Sequence, residues 1–156
     1  MNKKNIFKNI LLFIIGFCLY ITIEVLFRSY SYPLMGVVGG ISLIIVDKIN
    51  DRISWDMPLI LQCIIGGLII TILELLSGEF ALHILNVRMW DYSGMWLSSF
   101  DNLICPLFSF FWCLLACVGI ILADCFNYYV MHDEQRPYYR IFNKIYYLPI
   151  RECGSD

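Results

Sequence analysis

Apolar residues run along this chain in four blocks, at approximately residues 6–27, 33–46, 57–76 and 103–123, with short polar stretches after the first two and a longer mixed stretch after the third. A hydrocarbon core of about 30 Å is crossed by about 20 mostly apolar residues of helix. The pattern therefore predicts an all-α, polytopic integral membrane protein with four transmembrane helices arranged as two hairpins. The second block is short, so it reaches across by extending into its polar flanks or where the bilayer is thinned. Small residues punctuate the second and third blocks: Gly36 and Gly40 lie four apart in MGVVGG, and Gly66 and Gly67 lie together in IIGG. Helices in lipid associate through close backbone contact at such positions. The alternative, that these glycines break helices to build an ion site, requires unwound backbone. A faint repeat relates ITIEVLF near the end of the first block to ITILELL near the end of the third, followed by RSYSY and by RMWDYS.

Composition supports a lipid solvent. Hydrophobic residues make up 60% of the 156 and charged residues 15%, and the mean hydropathy is +0.71, well away from the balance of a soluble domain. The basic amino terminus and the apolar run after it resemble a signal peptide. No small-residue cleavage pattern follows, however, and the run is long enough to span, which predicts an uncleaved first helix. The net charge of −2 is less informative than its distribution. Nine of the eleven basic residues (Lys3, Lys4, Lys8, Lys48, Arg52, Arg136, Arg140, Lys144 and Arg151) fall on one side of the predicted spans, leaving Arg28 and Arg88 on the other. Basic residues in short loops stay cytoplasmic, so both termini are predicted to be cytoplasmic in a multi-pass protein of the cell membrane.

Two segments lie outside the helices. GEFALHILNVRMWDYSGMWLSSFDN is too long for a tight turn and too aromatic for a solvated loop. Its Trp90, Tyr92 and Trp96 suit the headgroup level, and the segment is predicted to lie along the outer interface, with helix at residues 80–85. After the fourth block, aromatics alternate with Arg140 and Lys144. This divides the chain into a transmembrane domain, residues 1–131, and a cytoplasmic tail, residues 132–156, held at the inner leaflet by rings and basic charge. The tail carries too little basic charge for nucleic acid.

Within the greasy blocks the acids stand out. At about 1.5 Å of rise per residue, Glu24 and Glu74 reach a similar depth near the outer boundary of the hydrocarbon. Arg28 is one turn beyond Glu24 on nearly the same face. Carboxylates in membrane helices are costly, and as a rule face inward with a partner. Arg28 and Arg88 are the predicted partners of Glu24, Glu74 and Asp91. Gln62, Gly66, Gly67, Thr71, Glu74 and Gly78 fall on one side of the third helix, predicted to face the bundle interior.

Two readings follow: ion pairs that only fix the helices, or an outward-facing polar recess for a small solute, an ion or a lipid headgroup. In the second, Glu24 and Glu74 supply charge, Arg28 and Arg88 hold an anion or balance the acids, and Trp90, Asp91 and Tyr92 close the mouth. A membrane-embedded lipid-modifying enzyme, with Glu24, Glu74 or Asp91 as acid or base, is an alternative. So is an assembly or regulatory protein that binds other helices through its glycine faces.

Other chemistry has less support. The chain has no Gly-rich phosphate loop with its Lys, no Gly-x-Ser-x-Gly elbow and no His-Glu-x-x-His zinc motif. The seven cysteines imply no disulfide framework; Cys113 and Cys117, one turn apart with Asp124 on their face, read as packing residues rather than metal ligands. His83 in a loop and His132 in the tail lack partners at metal-ligand spacing, so neither a cofactor nor a metal is predicted.

The spaced set Glu24, Arg28, Leu73-Glu74 with Gly78, Trp90-Asp91-Tyr92-Ser93, Asn102, Cys105 and Trp112 resembles the CmpB-like family of ABC-transporter type IV membrane proteins. The likeness covers most of residues 14–118, and the family's proline- and glycine-rich loop after the first helix is here reduced to SYSYPLMGVVGG. The resemblance implies a permease-type membrane component. Its partners would be membrane lipids, a second copy or another membrane subunit, and a cytoplasmic ATPase docking on the basic loop and tail.

Overall fold

A computed structural model describes residues 3–49, 54, 56–133 and 135–151; Arg52, used above for orientation, lies outside them. Among these residues there are four α-helices: α1 (Lys3–Arg28), α2 (Pro33–Asp47), α3 (Leu59–His83) and α4 (Pro106–Cys125), the last continued by a π-helical turn, Phe126–Val130. Three stretches, Lys3–Arg28, Leu59–His83 and Pro106–Val130, are long and apolar enough to cross a membrane. The fourth helix, α2, has 15 residues and rises only about 22 Å. Its boundaries have local causes. Pro33 and Pro106 open α2 and α4, since proline costs nothing where the first helical N–H groups have no partner anyway. Ser29 closes α1 in a left-handed conformation (φ 64°), its N–H bonded to Val25 O at 2.8 Å.

Though short, α2 is central. Nine of its fifteen residues are buried, and it packs against α1, α3 and α4, while α3 and α4 pack on each other. Backbone contact at glycine makes this possible. A Cβ on Gly16 would lie 2.6 Å from Gly39 O, and one on Gly67 would lie 2.3 Å from Cys113 Sγ. The helices run unbroken through these positions, so the glycines are packing surfaces. Leu26, Phe27, Leu68, Ile72, Leu76 and Val118 are exposed on the helix exteriors, as befits surfaces that face acyl chains. On α3 the predicted inward side is buried at Gln62, Gly66, Gly67, Glu74 and Gly78.

Two expectations need correction. First, α3 continues to His83, so residues 80–85 are mostly its last turn and not a separate interfacial helix. Gly78 does not stop it because that position packs against Trp90 and Leu103, 2.9 and 3.1 Å from where a Cβ would sit. Second, α4 starts at Pro106 rather than at Leu103, which is in the loop. The fold is helical, as expected, with one small addition. The tail forms an antiparallel pair, β1 (Tyr138–Ile141) and β2 (Lys144–Tyr147), with Tyr138 opposite Tyr147. The aromatic and β-branched residues that suggested an interface also favour a pleated strand. Tyr139 is buried and donates to Asp124 Oδ2 at 3.0 Å; burial and then the Asp124 charge push its phenol well above the usual range.

Candidate functional site: a recess between the helix ends

The C-terminal ends of α1 and α3 and the N-terminal ends of α2 and α4 meet at one end of the bundle, the end that carries the loop of residues 84–105. A recess of about 660 Å³ opens there. Tyr20, Glu24 and Arg28 from α1 line one wall and Phe108, Phe111 and Trp112 from α4 the other, with Met35 of α2 and Glu74 of α3 behind. Trp90, Asp91 and Tyr92 of the loop complete the lining.

Six of the seven predicted residues thus share one cavity, and of the three acids Glu24 and Asp91 have the expected arginine neighbours whereas Glu74 does not. Glu24 takes Arg28 on its own helix and also the Ser31 hydroxyl. Arg28 reaches on to Met89 O at 3.0 Å and lies over the Tyr30 ring, 4.9 Å from its centroid. Glu74 is 2% exposed, and among the described residues no Lys, Arg or His forms an ion pair with it. Two neutral donors serve it instead: Tyr92 Oη to Oε1 at 2.8 Å and Trp112 Nε1 to Oε2 at 2.7 Å. Arginine is not needed for this satisfaction, because an indole and a phenol carry apolar bodies that pack where a guanidinium would need more solvation. Burial, and next the charge of Glu74, push the Tyr92 phenol well above its ordinary value, so it remains a donor.

Arg88 is the exception. It lies outside the cavity lining, giving Nη1 to Asp101 O at 2.8 Å and standing 3.8 Å from Asp91 Oδ2. Asp91 is exposed, and the Ser93 backbone N–H and hydroxyl hold its carboxyl below the usual carboxylate value, so it is charged at neutral pH. The loop that carries these groups is fastened from within. Trp90 Nε1 donates to Leu103 O at 2.8 Å, and Tyr92 N to Asn102 O at 2.9 Å.

Sequence reasoning did not assign roles to Tyr20, Ser31, Phe108 or Trp112. Trp112 carried the one usable signal: an indole N–H inside an apolar helix needs an acceptor. Tyr20 stacks on it with ring centroids 5.9 Å apart, and Tyr92 stacks on Phe108 at 4.5 Å.

A family described as "Putative ABC-transporter type IV" matches residues 11–149. The chain belongs to this family. The match takes in α2, α3, α4, the loop, the β-pair and all but the start of α1. No curated protein and no solved structure matches the chain significantly. With three helices long enough to cross a bilayer, this family member is a membrane protein, and the family's description associates it with ABC transporters.

Two further polar groupings occur in this type IV family chain. His83 has acidic neighbours after all: Glu79, one turn before it on α3, lies 3.0 Å away and Asp101 3.7 Å away. The sequence reading placed His83 in a loop and so missed the helical spacing. The three ligand atoms lie within 4.8 Å of one another, on exposed or half-exposed side chains, a spacing that suits a metal ion. At the opposite end of the bundle, Lys8 Nζ lies 2.9 Å from Asp47 Oδ2, and Asn127 Nδ2 donates to Asp47 Oδ1 at 2.6 Å.

Proposed function

We propose that this protein is a permease-like, transport-associated component whose recess faces outward and binds a ligand with a polar group. The observation that carries the reading is Glu74, a carboxylate buried at the back of an open cavity and held, among the described residues, by neutral donors only. An acid is retained at such a cost chiefly where it serves a site. A purely structural cluster would be dry and closed on itself, whereas this one borders about 660 Å³ of space. In the proposed topology two helical hairpins, α1 with α2 and α3 with α4, place both termini in the cytoplasm, as the basic residues require, in the cell membrane. Residues 1–131 then form the transmembrane domain and residues 132–156 the cytoplasmic part. Arg140 and Lys144 offer positive charge to an ATPase, and a second copy or another membrane subunit would complete a permeation path.

The test is alkylation of Met95→Cys, a recess-lining position, in a chain with its native cysteines replaced. A membrane-impermeant maleimide added to intact cells is expected to label it, and compounds that occupy the recess to slow labelling. Labelling only after permeabilisation, or rates that no solute, ion or lipid changes, would overturn the reading.

A further inference from the structure

We infer that the ligand is a phospholipid with an ammonium-bearing headgroup, entering sideways between α1 and α4; this rests on the reading that the recess binds a ligand. Helix packing runs from α1 to α2, from α2 to α4 and from α3 to α4, which leaves a cleft between α1 and α4. Its lips are apolar and exposed, Ile23 and Phe27 on one side and Leu114 and Val118 on the other. A soluble ligand gains nothing from such an entrance. A lipid already lies beside it.

Below the recess the cleft continues as a slot of about 170 Å³, which shares Tyr20, Ile23, Leu115 and Val118 with the recess. Among its lining residues only Tyr20 and Ser42 carry a polar side-chain group. From Phe108 at the top to Leu122 at the bottom, α4 rises about 21 Å, more than half of a hydrocarbon core of about 30 Å. Polar space above and a long apolar slot below match a headgroup joined to an acyl chain.

Charge selects the headgroup. The recess holds the carboxylates of Glu24, Glu74 and Asp91 against the guanidinium of Arg28. A carboxylate accepts about four hydrogen bonds, and Glu74 receives two, both from uncharged groups. An ammonium supplies the counter-charge and the missing donors, and the stacked Tyr20 and Trp112 rings beside it present faces that attract a cation. Arg28 keeps Nε buried without an acceptor, and a phosphate oxygen is the partner that guanidinium groups favour. One zwitterionic headgroup meets both needs.

Native mass spectrometry of the full chain in a maltoside detergent tests this. The probes are lysophosphatidylethanolamine, lysophosphatidylglycerol of the same chain length, and free phosphoethanolamine. The ethanolamine lysolipid should be retained roughly tenfold over the glycerol one, as expected for a charge-assisted hydrogen bond in a desolvated site, and Glu74→Gln should remove the preference. Val118→Trp, at the lip, should weaken both lysolipids without touching the acids; it also serves if Glu74→Gln does not fold. Equal or better retention of the glycerol lysolipid, or binding of phosphoethanolamine as strong as that of its lysolipid, overturns the inference and leaves ligand binding standing. A dimer whose formation expels lipid overturns it in favour of a second copy in the cleft. If neither lysolipid binds, the inference falls; if Met95→Cys alkylation also responds to nothing, the reading of the recess falls with it.

Discussion

Glu74 shows how a membrane helix keeps an acid. Both oxygens are hydrogen-bonded, to Tyr92 and to Trp112, so the carboxylate ties α3 to the loop and to α4 at once. Tyr92→Phe isolates one of these ties, because the ring stack on Phe108 survives the loss of the hydroxyl. A hydrogen bond to a charged group contributes about 1.5–3 kcal/mol. The variant should unfold correspondingly sooner in a thermal scan in detergent, and an unchanged midpoint would mean that Glu74 does not depend on the phenol. At Gly67 the constraint is steric. A methyl group there would meet Cys113 Sγ at 2.3 Å and its backbone N at 2.8 Å, and backbone cannot rotate away. Gly67→Ala should cost about 1–3 kcal/mol, read by the same scan.

At the level of elements, α2 is the piece around which the others assemble, and a buried charge pins it. The Asp47 side chain is fully buried, and its ion-pair partner is Lys8 of α1, with Asn127 of the π-helical turn on its other oxygen. The wider turn appears where α4 must aim Asn127 toward α2, in keeping with the tendency of such turns to occur where a side chain is re-aimed for a purpose. Lys8→Met leaves a buried anion without its cation and should cost about 3–5 kcal/mol. Adding Asp47→Asn should recover a large part of that loss. A double-mutant cycle by chemical unfolding checks it; additive single effects would show that the pair contributes no coupling. The Lys8–Asp47 pair had no signature along the chain, since a basic residue near a terminus and an acid at a helix end each read as interfacial charges. The β-pair was equally hidden, because rings spaced for an interface and rings spaced for a strand look alike until Tyr139 finds Asp124 beneath it.

For the whole molecule, orientation is the property that basic-residue distribution predicts and that function depends on. Gly94 in the loop has open space around it and Lys144 on β2 is exposed. In a chain with its native cysteines replaced, Gly94→Cys should react with impermeant maleimide in intact cells, and Lys144→Cys only after permeabilisation. The reverse pattern would invert the topology. The membrane class, four helices at nearly their observed places and the acids worth watching were all legible in the sequence. Each depends on local quantities: the length of an apolar run, the rise per residue and the cost of a charge among hydrocarbons. Which neutral donors reach Glu74, why Arg88 stays outside, how His83 meets Glu79 and Asp101, and that a cleft remains between α1 and α4 were decided only when the helices packed. Side-chain partners from different helices depend on rotation and crossing of those helices, and glycine contacts distant in sequence set both.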